Sequence, residues 1–277
     1  MNTIQAGAAV RDTLAAAAEA LEVAGVESPR LDAEVLLAEV LSVSRADLYA
    51  QPERALEAEA AQRFAAMLER RARREPVAYI LGRAHFRELE LKLTGKVLIP
   101  RPETELLVDL AEDRQRVLDV GTGSGAIALA IANERKGARV TGIDNSPDAV
   151  AVARDNAERL GLEIEFLIAD LIVGGPYDLI VSNPPYVKES EWEGLQPEIV
   201  LYEPREALVA GDDGLDVIRE LVPAAAEVLV RGGTLAVEVG QGQARTVEAL
   251  LERSSFNHVE TTRDLAGIPR VVKGRAG

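Results

Sequence analysis

Five consecutive residues, Ser182-Asn183-Pro184-Pro185-Tyr186, combine the groups needed to handle a weakly nucleophilic amino group. An amino group conjugated to a carbonyl or an aromatic ring is a poor nucleophile because its lone pair is delocalised. Two fixed acceptors can take both of its hydrogens and turn the lone pair toward an electrophile. Asn183 offers a side-chain carbonyl and Pro184 a backbone carbonyl. Proline's locked φ makes the second acceptor rigid. Tyr186 adds a face on which a planar group can stack. Alone, Asn-Pro-Pro would describe a turn with an Asn cap. Here it follows an apolar run, Tyr177 to Val181, and lies downstream of a Gly-rich loop.

That loop is Asp119-Val120-Gly121-Thr122-Gly123-Ser124-Gly125-Ala126. Glycines at a strand-to-helix turn let a ligand approach the backbone beside a helix N-terminus. Gly121, Gly123 and Ala126 also fit a dinucleotide fingerprint, so the fragment alone does not choose a ligand. Asp144 ends the next apolar run and is placed to accept hydrogen bonds from a ribose. Asp119 favours S-adenosylmethionine: a carboxylate there could reach a ligand amino group, whereas it would repel a pyrophosphate.

Both motifs need a sheet to present them, and the second part of the chain supplies the pattern. Apolar runs at Val117–Val120, Arg139–Ile143, Ile164–Ala169, Tyr177–Val181 and Thr234–Val239 predict strands. Helices are expected at Ala126–Ala132, after Ser146-Pro147, at Leu215–Leu229 and at Val247–Leu251, with Val259–Thr262 and Arg270–Lys273 as a closing strand pair. This alternation predicts an α/β fold with a mostly parallel sheet covered by helices on both faces. Residues 1 to about 82 look helical instead. Val10, Leu14, Ala17, Ala18 and Leu21 share one spacing, and Leu31, Val35, Ala38 and Leu41 another. Ser28-Pro29 and Ser44 with Asp47 are start signals, and a longer helix is expected from Leu56 to Arg74. Leu89, Leu91 and Leu93 alternate with charged residues, and Thr94-Gly95-Lys96 reads as the turn of a β-hairpin returning through Val97–Ile99.

Composition narrows the chemistry. The 277 residues contain no Cys, which excludes thiolate metal sites and a Cys nucleophile, and only two His, His85 and His258. The net charge of −15 is unfavourable for a phosphate backbone. The densest basic run, Glu69-Arg70-Arg71-Ala72-Arg73-Arg74, is expected to be a solvated helix end rather than a nucleic-acid patch. No apolar run is long enough to span a bilayer and no signal peptide is seen, so a cytoplasmic location is expected.

Taken with Tyr79-Ile80-Leu81-Gly82, Val97-Leu98-Ile99-Pro100-Arg101-Pro102-Glu103-Thr104-Glu105, Asp178 to Val187, Glu203-Pro204-Arg205-Glu206-Ala207-Leu208 and Gly211-Asp212-Asp213-Gly214-Leu215-Asp216, the sequence resembles the HemK/PrmC family of peptide chain release factor glutamine methyltransferases. The resemblance covers nearly the whole chain, and Arg101-Pro102-Glu103-Thr104-Glu105 is its most specific part. It implies an N-terminal helical docking domain (1–82), a β-hairpin linker (83–99) and a class I, Rossmann-like methyltransferase domain (100–277). It also implies methyl transfer from S-adenosylmethionine to the glutamine amide of a Gly-Gly-Gln loop in release factors.

By the same resemblance, Gly121, Thr122, Gly123, Ser124 and Gly125 would hold the methionine part and Asp144 the ribose, while Asp170 and Leu171 would border the adenine. Asn183, Pro184, Pro185 and Tyr186 would hold the glutamine, with Asn183 also at the cofactor and Arg101 and Glu103 on the substrate side. Leu171 stands where relatives often have an aromatic, and Glu88 and Leu91 replace a usual Gly and Phe. A monomer is expected, with no metal, membrane or direct nucleic-acid partner. Two other functions use the same motifs: methylation of an exocyclic adenine or cytosine amino group, and non-catalytic nucleotide binding.

Overall fold

A computed structural model describes residues 4–112 and 115–277, which divide into two compact units. The first runs to Gly82 and also includes Gln196–Tyr202; the second comprises Arg83–Leu195 and Glu203–Gly277.

The first unit holds α1 (Val10–Val23), α2 (Pro29–Leu41), α3 (Arg45–Ala50), α4 (Ala58–Ala72) and α5 (Val77–Leu81). Pro29 opens α2 at its first position, and Ser44 and Asp47 form the expected capping box of α3. The short α5 has too few residues to show a period in the sequence. Leu14, Leu21, Leu36, Leu37 and Phe64 are fully buried at the centre. Each such side chain contributes about 1.5–3 kcal/mol.

Two expectations fail in this unit. The stripe Leu31, Val35, Ala38, Leu41 is not the buried face of α2, which buries Ala33, Leu36, Leu37, Ala38 and Val40 and leaves Leu31 exposed. The helix packs against α1, α3, α4 and α5, so its apolar residues surround it rather than form one stripe. The basic run is solvated only in part: Arg70 and Arg73 are exposed, whereas Arg71 and Arg74 are not. Arg71 is buried between Asp32 (2.7 Å) and Glu198 (2.8 Å), Arg74 pairs with Glu198 (2.6 Å), and Arg70 pairs with Glu75 (2.5 Å). Glu198 comes from the distant 196–202 segment, a partner that local sequence cannot reveal.

In the second unit, β1 (Arg83–Phe86) pairs antiparallel with β2 (Leu89–Lys92). The hairpin therefore turns at Arg87-Glu88, not at Thr94-Gly95-Lys96, and Val97–Ile99 forms no strand. Arg87 takes a left-handed conformation (φ 53°) and is anchored by Glu134 (2.8 Å) and Asp109 (3.0 Å). Leu89 and Leu91 point into the core, and Glu88 sits in the turn.

The chain continues through α6 (Glu105–Asp109), β3 (Arg116–Val120), α7 (Ala126–Glu134), β4 (Arg139–Asp144), α8 (Pro147–Leu160), β5 (Glu165–Ile168) and β6 (Tyr177–Ser182). After α9 (Pro197–Tyr202), which belongs to the first unit, come α10 (Asp216–Val228), β7 (Leu229–Glu238), α11 (Ala244–Arg253), β8 (Phe256–Arg263) and β9 (Pro269–Ala276). The seven-stranded sheet has the order β5-β4-β3-β6-β7-β9-β8, parallel except where β9 joins antiparallel to β7 and β8. Separate apolar clusters cover it, one built on α7 and α8 and the other on α10 and α11. This is the predicted mostly parallel α/β sheet with its closing antiparallel pair. Among the described residues, no helix is long and apolar enough to cross a membrane.

Asn156 ties this frame to the Gly-rich loop. It is buried on α8, exchanges hydrogen bonds with the Lys92 backbone (2.7 and 3.1 Å), and donates to the Ser124 carbonyl (3.0 Å).

Candidate active site

The strand order reverses between β3 and β6, because β4 and β5 lie on one side and β7 on the other. At such a switch point the loops leaving the carboxyl ends of the two strands diverge and leave a crevice. The register places Val120 opposite Ser182, and the Ser182 hydroxyl donates to the Val120 carbonyl at 2.7 Å. The Gly-rich loop and the Asn183 loop therefore start side by side, although about 60 residues separate them in the chain.

A cleft of about 210 Å³ opens there. Of the predicted residues, Gly121, Gly123, Asp144, Asp170, Leu171, Asn183, Pro184 and Pro185 line it. Gly121 and Gly123 have positive φ, and a Cβ at either would meet nothing within 4 Å, so their backbone faces open space that a ligand can fill. Asp144 accepts from Gly123 N–H and Ser146 N–H, both at 2.9 Å, and retains further lone pairs for a ligand hydroxyl. Burial raises its carboxyl above the usual Asp range, against those two donors. Val120, Ala149, Ala169 and Leu171 supply apolar wall, and Asp170, Glu206 and Glu220 supply acidic charge suited to a cationic ligand. These features fit S-adenosylmethionine: open backbone, a ribose acceptor, apolar wall and negative charge.

Three of the loop residues build the loop without lining the cleft. Thr122 and Ser124 are buried. Gly125 begins α7 with φ 83°, where a Cβ would lie 2.8 Å from Leu129 and 3.2 Å from Ala153. Asp119 also departs from expectation. It is fully buried, and its Oδ2 accepts from the Thr122 hydroxyl (2.7 Å) and Ala128 N–H (3.2 Å). Oδ1 has no partner, and burial pushes the carboxyl up to about 7. Asp119 thus braces the loop from below and does not reach the cleft.

On the other side of Asn183 lies a polar cluster that the motif alone did not disclose. Asn183 Nδ2 donates to Thr104 Oγ1 at 3.2 Å. Thr104 stands against Glu238, and the Tyr186 hydroxyl lies 3.4 Å from Glu238 Oε1. Burial, reinforced by Glu103, pushes Glu238 up to about 7 against Thr104, Arg270 and Tyr186. Burial and the Glu238 charge likewise raise the Tyr186 phenol. The charges of Arg101 and Glu103 are directed to protein partners, Arg101 to buried Glu203 (2.6 Å) and Glu103 to Arg270 (3.6 Å). Gln243 holds the loop from behind, donating to the Tyr186 carbonyl at 2.9 Å.

Sequence reading missed Thr104, Glu203, Glu238 and Gln243 as site-building residues. One signal was available: Glu238 is a carboxylate that ends β7 directly after the apolar run Leu235–Val237. The others become visible only when the fold brings distant segments together.

Residues 12–82 match the PrmC N-terminal domain family, and residues 102–211 match the methyltransferase small domain family. A release factor glutamine methyltransferase of Geobacter sulfurreducens is 45% identical over 260 residues, covering 91% of this chain and 92% of that protein. One of Caulobacter vibrioides is 43% identical over 270 residues, covering 94% and 93%. Among solved structures, a methyltransferase from Pyrococcus furiosus shares the fold with TM-score 0.54 at 19% identity, covering 76% of this chain and 98% of that one. A T. thermophilus 16S rRNA methyltransferase in complex with AdoMet and guanosine has TM-score 0.52 at 25% identity, covering 70% and 50%. The switch-point cleft, the two loops that frame it and near-full-length relatives at this identity lead to one assignment: the chain belongs to the release factor glutamine methyltransferase family.

Proposed function

We propose that this chain transfers a methyl group from S-adenosylmethionine to the side-chain amide nitrogen of the glutamine in the Gly-Gly-Gln motif of peptide chain release factors. The observation that carries the proposal is the pairing of Val120 with Ser182, which sets the Gly-rich loop against Asn183-Pro184-Pro185-Tyr186. Bound S-adenosylmethionine supplies a methyl group already activated on a sulfonium. Gly121, Gly123, Asp144 and Leu171 would hold it.

The protein's remaining task is alignment. The Asn183 side-chain carbonyl and the Pro184 backbone carbonyl accept the two amide hydrogens and turn the nitrogen lone pair toward the methyl carbon. As the nitrogen–methyl bond forms, the sulfur–methyl bond breaks. The methylated amide cation is very acidic and loses its extra proton to water, so no strong base is required.

Mass spectrometry of release factor incubated with the enzyme and S-adenosylmethionine should show one added methyl group on the Gly-Gly-Gln glutamine. No methylation of the factor, together with methylation of adenine or cytosine in added nucleic acid, would overturn the proposal. Asp144→Ala should weaken S-adenosylmethionine binding by about 1.5–3 kcal/mol, the scale of a hydrogen bond to a charged group. Calorimetry showing unchanged affinity would remove Asp144 from the site.

The same proposal has the chain working as a monomer in the cytoplasm, without a nucleic-acid partner. Consistent with that, Arg70, Arg71 and Arg74 are neutralised by carboxylates. The helical unit would dock the release factor, because one glutamine side chain offers little contact area. A short Gly-Gly-Gln peptide should then be methylated far less efficiently than the whole factor. Removing residues 1–82 would be a poor test, since it strips 196–202 of its packing partners. Val23→Asp with Leu31→Asp, both on exposed positions, should instead raise KM for the whole factor and leave the peptide unaffected. An unchanged KM for the whole factor would count against docking through these positions.

A further inference from the structure

We infer that the buried pair Thr104 and Glu238 fixes which way the Asn183 side-chain amide faces, and so decides whether the site offers the substrate amide an acceptor or a donor. The inference rests on the amide-methylation reading of the site. Asn183 lines the cleft, and its Nδ2 donates to Thr104 Oγ1 at 3.2 Å. A threonine hydroxyl has one proton. When it accepts from Asn183, its own proton must go elsewhere, and the carboxyl standing against it is Glu238.

An ionised carboxylate only accepts hydrogen bonds. It therefore gives the chain one direction, from the Asn183 N–H through the Thr104 O–H to Glu238. The amide nitrogen is thereby held on the Thr104 side, and Asn183 Oδ1 is left for the substrate amino group. A neutral or amide side chain at position 238 could donate to Thr104 instead. The Thr104 hydroxyl could then turn to the Asn183 carbonyl, and the amide could rotate by half a turn. The site would then present N–H against N–H.

Glu238 is also a poor candidate for a purely structural role. It is 1% exposed, and its Oε2 has no hydrogen-bond partner. A buried carboxylate with an orphan oxygen lowers stability when ionised. Three charged or titratable groups face it from different segments: Glu103 before α6, Arg270 on β9 and Tyr186 after β6. Burial and Glu103 outweigh the others and put the carboxyl at about 7, so it titrates near neutrality. Because this folded pKa is above the ordinary Glu value, its contribution to stability is present at low pH and lost as pH rises through about 7. Ordering of Asn183 runs the opposite way and is gained over the same range.

The test compares Glu238→Gln, Thr104→Val and Thr104→Ser with the wild-type enzyme on whole release factor. Glu238→Gln and Thr104→Val should each lower kcat by about 10- to 100-fold, the scale of a hydrogen bond to a charged group. S-adenosylmethionine affinity should be unchanged, and Tm of Glu238→Gln should be equal or higher. Wild-type kcat should rise with pH through about 7, and Glu238→Gln should lose that limb. Thr104→Ser, which keeps the hydroxyl, should retain the wild-type rate and profile. Wild-type kcat and pH profile in Glu238→Gln would overturn the inference. So would a loss of kcat that only parallels losses of Tm and cofactor affinity. A wild-type enzyme inactive on release factor would instead overturn the functional reading.

Discussion

Replacing Asn183 with alanine should lower kcat for release factor by on the order of 10²–10³, the effect of removing one preorganised polar group at a reacting centre. The variant loses the side-chain acceptor but keeps the Pro184 carbonyl, so the substrate amide can still enter without its lone pair being fixed. S-adenosylmethionine binding should change much less. Asn183 shares the cleft wall with Gly121, Gly123, Asp144 and Leu171, and the loss of one neutral hydrogen bond amounts to about 0.5–1.5 kcal/mol. Single-turnover kinetics and calorimetry on the same preparation separate the two effects. If turnover and cofactor affinity fall in equal measure, Asn183 holds the cofactor and does not orient the substrate.

Why Asn183 could be chosen from sequence, and Thr104 or Glu238 could not, follows from the range over which each signal acts. Asn183 belongs to a contiguous motif directly after a strand, and the Gly-rich loop is equally local. Strand–helix alternation was also legible, because β3, β4 and β6 are buried inside the sheet and read as short apolar runs. What the sequence could not show was pairing across distance. Glu203 binds Arg101 and the Ile99 backbone, Asn156 binds Lys92, and Glu198 binds Arg71 and Arg74. Each of these polar groups is paired with a segment far away in the chain, and no local periodicity encodes that choice. The hairpin turn differs from the sequence expectation for a related reason. Thr94-Gly95-Lys96 has good turn chemistry, but Arg87 turns the chain earlier because Glu134 and Asp109, from other elements, hold it there. Asp119 departs from the sequence expectation because its place beside the loop suggests access, whereas the fold puts the carboxylate beneath the loop.

Gly214→Ala should impair catalysis from outside the cleft. Gly214 has φ +74°, and a Cβ there would lie 2.2 Å from the Tyr186 carbonyl oxygen and 2.8 Å from Gln243 Nε2. The Gln243 amide could move, but the first contact is with backbone and is relieved by displacing the end of the Asn183–Tyr186 loop or the Gly214 turn that packs on it. A misplacement of about 1 Å at a reacting group lowers rate by about 10²-fold, and kcat should fall on that scale. The left-handed backbone adds about 1–2 kcal/mol of strain and overpacking about 1–3 kcal/mol, so the variant should also melt earlier. Gly232→Ala separates these causes. Gly232 has φ +77° on β7, and a Cβ there would meet nothing within 4 Å. It should carry the backbone strain alone, with a modest fall in Tm and near-normal kcat. S-adenosylmethionine affinity should fall less than kcat in Gly214→Ala and stay at wild type in Gly232→Ala, because Gly121, Gly123 and Asp144 line the cleft from other strands, β3 and β4. Equal kcat in the two variants would show that pressure on the Tyr186 carbonyl is not transmitted to Asn183, and that the loop is held from the Ser182 end alone.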